Sequence, residues 1–235
     1  LQETAKISGQ DARHMSRVLR LKPGDLVLLT FSDLASGVYR ISDAARDSVY
    51  LDLVSRAAEC QEPPIRVTLV QGLPKSDKMD YIIQKAVELG VGAVIPAVTE
   101  HSVATYDTVK SQAKVARWQK IAREAAKQCG RTVVPEVYPV AALPLILAAV
   151  PQGANAIMLD EKAVNGLRSA VRNQVGEYFL FVGPEGGFSD HERDLWLSSR
   201  GRDSLVSLGP RILRTETASL AALSILMYEC GDLGG

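Results

Sequence analysis

Two stretches decide the fold predicted for this chain: FLFVGPEGGF at residues 179–188 and SLGPRILRTETA at residues 207–218. In each, an apolar strand-like run leads into a glycine–proline turn. A strand, a glycine turn and a helix in succession present main-chain N–H groups at the carboxyl end of an open α/β sheet. Either turn alone is explained by an ordinary strand-to-helix connection. Two so close together, both flanked by Arg and Glu side chains, predict one composite ligand site.

The chain around these turns alternates between strand and helix patterns. Strand-like runs lie at 65–70, 93–98, 133–137, 156–159, 178–182 and 205–208. Helical patterns cover 77–89, 110–129, a segment opened by the capping box of Ser189 and Glu192, and 217 to about 229. The last of these is rich in Ala and Leu and is predicted to be buried. Such alternation predicts a parallel sheet with helices on its faces.

The first part of the chain has a different pattern. A short helical piece at 11–21 precedes strand-like runs at 26–31, 37–41 and 49–54. Short strands separated by turn residues are typical of a small antiparallel barrel. Glu62-Pro63-Pro64 then interrupts the pattern. The predicted domains are therefore 1–62 and 63–235.

Composition restricts the class of protein. The 235 residues include 27 Lys and Arg against 27 Asp and Glu, which gives zero formal net charge and argues against a general nucleic-acid coat. The three cysteines are far apart and match neither a zinc site nor a disulfide framework, so no metal is predicted and a reducing cytosol is the expected compartment. No apolar run reaches the ~20 residues that span a bilayer.

Basic side chains nevertheless cluster in two places. The helical pattern from 110 places seven basic residues against one acid, Glu124, opposite an apolar half: Lys110, Lys114, Arg117, Lys120, Arg123, Lys127 and Arg131. A second cluster consists of Arg13, His14, Arg17, Arg20 and Lys22. Each is explained either by a solvated surface or by phosphate contact. Two separate patches on a neutral protein favour selective RNA contact.

Familiar catalytic motifs are missing from the sequence, including the P-loop, the G-x-G-x-x-G turn, the nucleophile elbow and the H-E-x-x-H pair. What remains is a pocket of main-chain groups with Arg and Glu at its edge. Such a pocket suits an organic cofactor that carries the chemistry itself.

The strings GPEGGF (183–188) and LGPRILRTETA (208–218) strongly resemble the bacterial RsmE family of the SPOUT superfamily. Supporting matches are RVLRLKPGD (17–25), SDKMDYIIQKAVELGV (76–91), WQKIAREAAKQCGR (118–131) and GDLG (231–234). The resemblance covers nearly the whole chain. It departs at the start, where family members carry an additional opening strand, and at 153–175.

This resemblance implies a PUA-like RNA-binding barrel followed by a SPOUT-type parallel α/β domain with a deep C-terminal trefoil knot. It implies a homodimer that uses S-adenosylmethionine to methylate N3 of a uridine in 16S ribosomal RNA. Three alternatives stay open: a SPOUT enzyme acting on a ribose hydroxyl or a guanine, a non-catalytic ribosome-assembly module that binds RNA, and a nucleotide-phosphate enzyme.

The resemblance also implies site residues. The cofactor is expected to contact Leu159, Val182, Gly183, Pro184, Glu185, Gly186, Gly187, Leu208, Gly209, Arg211, Ile212, Leu213, Thr217 and Ala218. Arg214 and Glu216 are the predicted catalytic residues, with a purely structural Arg–Glu pair as the alternative. The predicted RNA-binding residues are Arg13, His14, Arg17, Arg20, Lys22, Lys78, Arg123 and Arg131.

Overall fold

A computed structural model describes residues 2–31, 36–45, 47–56, 62–102, 108–171 and 176–234. The chain forms two compact units. The first consists of Leu1–Gln61 with Gly130–Val133, and the second of Glu62–Cys129 with Val134–Gly235. Cys60 and the side chain of Lys110 lie outside the described residues.

The first unit is an antiparallel sheet with a short helical segment. Its elements are β1 (Thr4–Ser8), α1 (Gln10–Arg13), a π-helical turn (His14–Val18), β2 (Leu26–Thr30), β3 (Ser36–Ala44) and β4 (Ser48–Arg56). The strands follow the order β1-β4-β3-β2. Alternate residues such as Tyr39, Ile41, Val49 and Leu51 form the core of this unit, as the period-two pattern of a strand requires.

The second unit contains a parallel sheet, as predicted. Its strands are β5 (Ile65–Gly72), β6 (Ala93–Val98), β7 (Glu136–Val137), β8 (Ala141–Ala142), β9 (Asn155–Leu159), β10 (Asn165–Gly166), β11 (Gly176–Val182) and β12 (Leu205–Ser207). The order is β10-β12-β9-β11-β5-β6-β7, with β8 also paired to β6. The predicted strand at 133–137 is wrong for its first three residues, since only Glu136–Val137 pairs.

Helices cover both faces of this sheet. They are α2 (Lys78–Glu88), α3 (Thr108–Cys129), α4 (Leu143–Ala149), α5 (Leu167–Ala170), α6 (Asp190–Arg200), a 3₁₀ turn (Arg202–Ser204) and α7 (Thr215–Glu229). Residues of α2, α3 and α7 pack on one face in a core that includes Leu69 of β5. Residues of α4 and α6 pack on the other face with Val70. Successive residues of β5 thus enter opposite cores, and every residue of this strand except Arg66 is buried.

The capping box that opens α6 is confirmed. Ser189 Oγ accepts a hydrogen bond from the Glu192 N–H at 3.1 Å, and Glu192 Oε2 accepts one from the Ser189 N–H at 2.9 Å. These two bonds satisfy main-chain donors that the helix leaves unpaired.

The prediction that the last helix is buried is only partly correct. Ala222, Leu223 and Leu226 of α7 are buried, whereas Ile225 is 37% exposed and Tyr228 65% exposed. The helix is apolar on the side that faces the sheet and also on part of its outer side. Composition alone therefore does not show which apolar residues of the helix are buried. The trefoil knot stays a prediction.

Candidate cofactor site

The candidate site lies where three neighbouring parallel strands, β9, β11 and β12, end at the same edge of the sheet. The segments that follow them enclose a cavity of about 440 Å³. Its lining consists of Leu159–Glu161, Val182–Gly187, Ser207–Gly209, Arg211–Thr215 and Ala218. The two glycine turns therefore line one cavity, together with a third segment after β9; that this cavity binds a ligand stays a prediction.

The first turn is built so tightly that glycine is required. A Cβ atom at Gly183 would lie 2.9 Å from the carbonyl carbon of Gly187. Gly187 itself has a φ of +67°, and its N–H donates to the Pro184 carbonyl at 2.9 Å. A Cβ at Gly72, at the end of β5, would lie 2.6 Å from Pro184 Cδ. The turn is thus packed tightly on the sheet edge, and its residues line the cavity.

The second turn is more open. Gly209 has a φ of +111°, and its N–H donates to Ser207 Oγ at 3.1 Å. Beyond it Ile212 is 86% exposed, although it lines the cavity, and Arg211 and Arg214 are also exposed. One apolar residue and two arginines thus line the cavity on this side.

A buried polar network connects the two turns. Thr215 Oγ1, at the start of α7, donates to the Gly183 carbonyl at 2.6 Å and accepts from Gln71 Nε2 at 3.0 Å. Gln71 Nε2 also donates to the Gly72 carbonyl at 2.9 Å, and Ser219 Oγ donates to Gln71 Oε1. Gln71, Thr215 and Ser219 are buried. The sheet edge, the first turn and the helix after the second turn are therefore joined by bonds that would be costly to break.

A charged cluster lies beside this network. Lys78 Nζ lies 2.9 Å from Glu185 Oε1 and 3.1 Å from Glu216 Oε2. Burial raises the pKa of Glu185, but hydrogen bonds from Lys78 and from backbone N–H groups, including that of Lys75, lower the pKa by more. Burial likewise raises the pKa of Glu216, while its own backbone N–H, Lys78 and the charge of Arg214 lower it by more. Both carboxylates are held in the ionised form.

The loop after β6 supports the first turn from outside. His101 Nδ1 lies 2.9 Å from the Gly186 carbonyl, and a Cβ at Gly186 would lie 3.0 Å from His101 Cβ. In the same loop the Glu100 N–H donates to Glu192 Oε1 at 3.0 Å, while His191 Nδ1 lies 2.8 Å from Glu100 Oε1. His191, interpreted from the sequence as a solvated residue in the first turn of a helix, is in fact exposed and paired with Glu100.

Sequence reasoning missed the acidic pair that follows β9. Asp160 is buried and ion-paired with Arg193, and its Oδ1 accepts from the Lys162 N–H at 2.7 Å. Glu161 is exposed, and its Oε2 lies 3.7 Å from the position of a Cβ on Gly187. The sequence did contain a signal for this pair: Asp160 and Glu161 directly follow a buried strand, and two other strands end in glycine turns. Thr215, whose hydroxyl joins the two turns, was also missed.

The structure places thirteen of the fourteen predicted cofactor residues on the cavity wall; Thr217 is not among the lining residues. Of the predicted catalytic pair, Arg214 lines the cavity, whereas Glu216 lies beside Lys78. Which of these residues contact a ligand stays a prediction.

The predicted RNA-binding residues are distributed over both units. Arg13 Nε lies 2.6 Å from Asp47 Oδ1, and four others in the first unit are exposed: His14, Arg17, Arg20 and Lys22. On α3, Arg123 is exposed, and Arg117 is ion-paired with Asp80. Arg131 is buried.

Within the described ranges, no group of three or more His, Cys, Asp and Glu side chains has an arrangement suited to a metal ion. In that same part of the chain, no helix combines the length and apolarity needed to cross a bilayer.

Comparison with known proteins defines the class. Residues 61–227 match the family described as RNA methyltransferase domain, and residues 7–54 match the RNA methyltransferase PUA domain. The chain is therefore an RNA methyltransferase-type α/β domain preceded by a PUA domain. More narrowly, it belongs to the ribosomal RNA small subunit methyltransferase E family, which confirms the resemblance seen in the sequence.

Individual relatives support this assignment over almost the full length. The ribosomal RNA small subunit methyltransferase E of Bacillus subtilis is 36% identical over 239 residues, covering 99% of this chain and 93% of that protein. The Mycobacterium tuberculosis protein of the same name is 32% identical, covering 93% and 84%. A crystal structure of this enzyme from Neisseria gonorrhoeae bound to S-adenosyl methionine superimposes with a TM-score of 0.86 at 30% identity, covering 99% and 95%.

Proposed function

We propose that this protein transfers a methyl group from S-adenosylmethionine to N3 of a uridine in 16S ribosomal RNA. The observation that carries the proposal is the cavity of about 440 Å³ between the two glycine turns, in a chain of this family. Its size falls in the range of roughly 300–1,000 Å³ that is usual for small-molecule sites. The Neisseria gonorrhoeae relative, which binds S-adenosyl methionine, supports the choice of ligand.

The residues present fit that cofactor. The first turn offers main-chain groups that glycines leave accessible, and Val182, Leu208 and Ile212 offer apolar surface for an adenine ring. Glu161 places a carboxylate at the edge of the cavity, where it would favour a cationic ligand. When bound, the cofactor supplies an already activated methyl group, so the protein has mainly to bind and orient the two reactants.

Uracil N3 carries a proton and becomes nucleophilic when that proton leaves. Arg214, exposed on the cavity wall, is the residue that we assign to stabilise the developing uracil anion or to position a phosphate. Glu216 is a weaker candidate for removing the proton, because its pKa is lowered and its carboxylate is paired with Lys78. We therefore assign Glu216 a positioning role.

RNA would be held by the exposed basic residues of the first unit, Arg17 among them, and by Arg123 on α3. Charge reversal at either residue is expected to weaken RNA binding and to leave the affinity for S-adenosylhomocysteine unchanged. Undiminished RNA affinity in both variants, measured by filter binding, would exclude this assignment.

The same proposal includes a homodimer in the cytoplasm. Its support is the apolar outer surface of α7, where Ile225 and Tyr228 are exposed, together with the half-exposed Tyr81 on the adjacent α2. Exposed apolar surface of this kind is typical of subunit interfaces. Sedimentation equilibrium of the parent and of Tyr228→Glu tests it, since the variant is expected to dissociate to monomers.

The decisive experiment is nucleoside mass spectrometry of small-subunit RNA before and after incubation with the protein and S-adenosylmethionine. N3-methyluridine should appear, and Arg214→Ala should lower its single-turnover rate by about a hundredfold. A methylated ribose or guanine would identify a different methyltransferase. Cofactor binding without any methylated base would favour a non-catalytic RNA-binding role.

A further inference from the structure

Lys78, which the sequence suggested as an RNA contact, occupies an unusual position at the start of α2. Its ammonium group lies between carboxylates from two distant segments, 2.9 Å from Glu185 and 3.1 Å from Glu216. Glu185 belongs to the first glycine turn, and Glu216 belongs to the first turn of α7, directly after the second glycine turn. One cation therefore contacts a residue of the first glycine turn and a residue of the helix that follows the second glycine turn.

This lysine is not a free surface charge. Its side chain is 30% exposed, and the side chains of Glu185 and Glu216 are 28% and 18% exposed. A phosphate approaching Lys78 would have to compete with two carboxylates that are already in contact with it. The hydrogen bond that Lys78 donates to Glu185 raises the pKa of Lys78 by more than burial lowers it, and the bond that it donates to Glu216 raises this pKa as well. The ammonium group is thus retained as a fixed positive centre.

We propose that Lys78 is a positioning residue that holds the two glycine turns at the spacing needed to bind the methyl donor. Without it, two partly buried carboxylates would lose the cation that they share, and their mutual repulsion would drive the turns apart. The buried network of Gln71 and Thr215 joins the same segments on the inner side, so Lys78 supplies the outer connection. This inference rests on the proposed function, because it assumes that the cavity binds S-adenosylmethionine.

The same helix offers a matched control. Lys85 Nζ lies 2.8 Å from Glu88 Oε1, with the two side chains 35% and 28% exposed. This ion pair closely resembles that of Lys78 in distance and exposure, but both partners lie on α2 and neither lines the cavity. Lys85→Met therefore removes a comparable ion pair that does not link the two glycine turns.

The test is isothermal titration of the full chain with S-adenosylhomocysteine. Lys78→Met is expected to weaken binding about tenfold and Lys85→Met by less than twofold. The double variant Lys78→Met/Glu216→Gln should recover most of the affinity, because neutralising one carboxylate removes the repulsion. Loss of packing alone would give no such recovery. Glu216→Gln alone keeps the shape of the side chain and should weaken binding about threefold.

The outcomes separate this inference from the function on which it rests. If the parent chain fails to bind S-adenosylhomocysteine, the proposed function is overturned. If the parent binds S-adenosylhomocysteine and the Lys78→Met and Glu216→Gln variants each bind it as tightly as the parent does, the positioning role is overturned. A Lys78→Met variant that loses RNA affinity in the absence of cofactor but binds S-adenosylhomocysteine like the parent would instead show that Lys78 contacts RNA.

Discussion

Replacement of Thr215 by valine tests whether the buried network holds the two turns together. Thr215 is 4% exposed, and its hydroxyl both donates to the Gly183 carbonyl and accepts from Gln71 Nε2. Valine has nearly the same shape but neither hydrogen-bonding function. The change therefore removes two bonds while leaving the packing of α7 intact, and it leaves a buried carbonyl and a buried amide N–H without these partners.

The magnitude follows from those two groups. A buried polar group that loses its partner costs about 1–3 kcal/mol. Because Gln71 keeps its bond to the Gly72 carbonyl, we expect the lower half of that range for the amide, and a total loss of about 2–5 kcal/mol of unfolding free energy. For a domain of this size, that lowers the Tm by on the order of 10 °C. The affinity for S-adenosylhomocysteine should fall about tenfold, since Gly183 loses its anchor.

Tryptophan fluorescence is a suitable assay because both tryptophans, Trp118 and Trp196, are buried in the second unit. Ser224→Ala is the control: Ser224 Oγ donates to the Leu220 carbonyl at 2.8 Å within the same helix, away from the cavity. Its effect should stay within about 0.5 kcal/mol. A Thr215→Val variant that unfolds and binds like Ser224→Ala would refute the idea that the network positions the turns.

Three further predictions concern the cavity itself. Gly183→Ala should lower the affinity for S-adenosylhomocysteine more than tenfold, since its Cβ would meet the main chain of the same turn at 2.9 Å, whereas Gly153→Ala, with no atom within 4 Å, should bind normally in the same titration. Glu161→Gln should lower the affinity for S-adenosylmethionine about fivefold and that for S-adenosylhomocysteine by less, because only S-adenosylmethionine carries a positive sulfonium. An equal loss of affinity for the two ligands would contradict an electrostatic role of Glu161. Burial raises the pKa values of Glu185 and Glu216, but their bonds to N–H groups and Lys78 lower them by more, to below 4.5, so the stability they contribute is present above that pH and is lost as the pH falls below it. The acid-induced loss of unfolding free energy should therefore be smaller when both are replaced by Gln, as urea titrations between pH 3 and 6 would show.

Much of the second unit was predictable because its local patterns are strong. The runs that became β5, β6, β9, β11 and β12 are mainly apolar, which is typical of strands buried on both faces. The shortest strands were missed for the opposite reason. Strands β8 and β10 have two residues each, which is too few to produce any periodicity. The five residues of β1 gave no recognised pattern either.

The sequence predicted the two glycine–proline turns of the candidate site but not the side-chain contacts that join them. Glycine–proline turns after apolar runs are visible in sequence because each turn is local. The partners Gln71 and Thr215 are 144 residues apart, and Lys78 and Glu185 are 107 residues apart. Nothing in a single sequence pairs such residues, since their proximity follows from the order of strands in the sheet.

The charges around the cavity indicate how a protein of zero net charge can bind both a cationic cofactor and an anionic RNA. Several of them neutralise one another: Lys78 contacts two carboxylates, and Asp160 is paired with Arg193. Among the described residues that line the cavity, no ion pair involves Glu161, Arg211 or Arg214. One carboxylate and two guanidinium groups thus remain available within a single cavity, the carboxylate suited to a sulfonium and the guanidinium groups to a uracil anion or a phosphate. Local pairing, rather than a broad field, would then determine which ligand is bound at which position, and this is consistent with a chain that carries as many acids as bases.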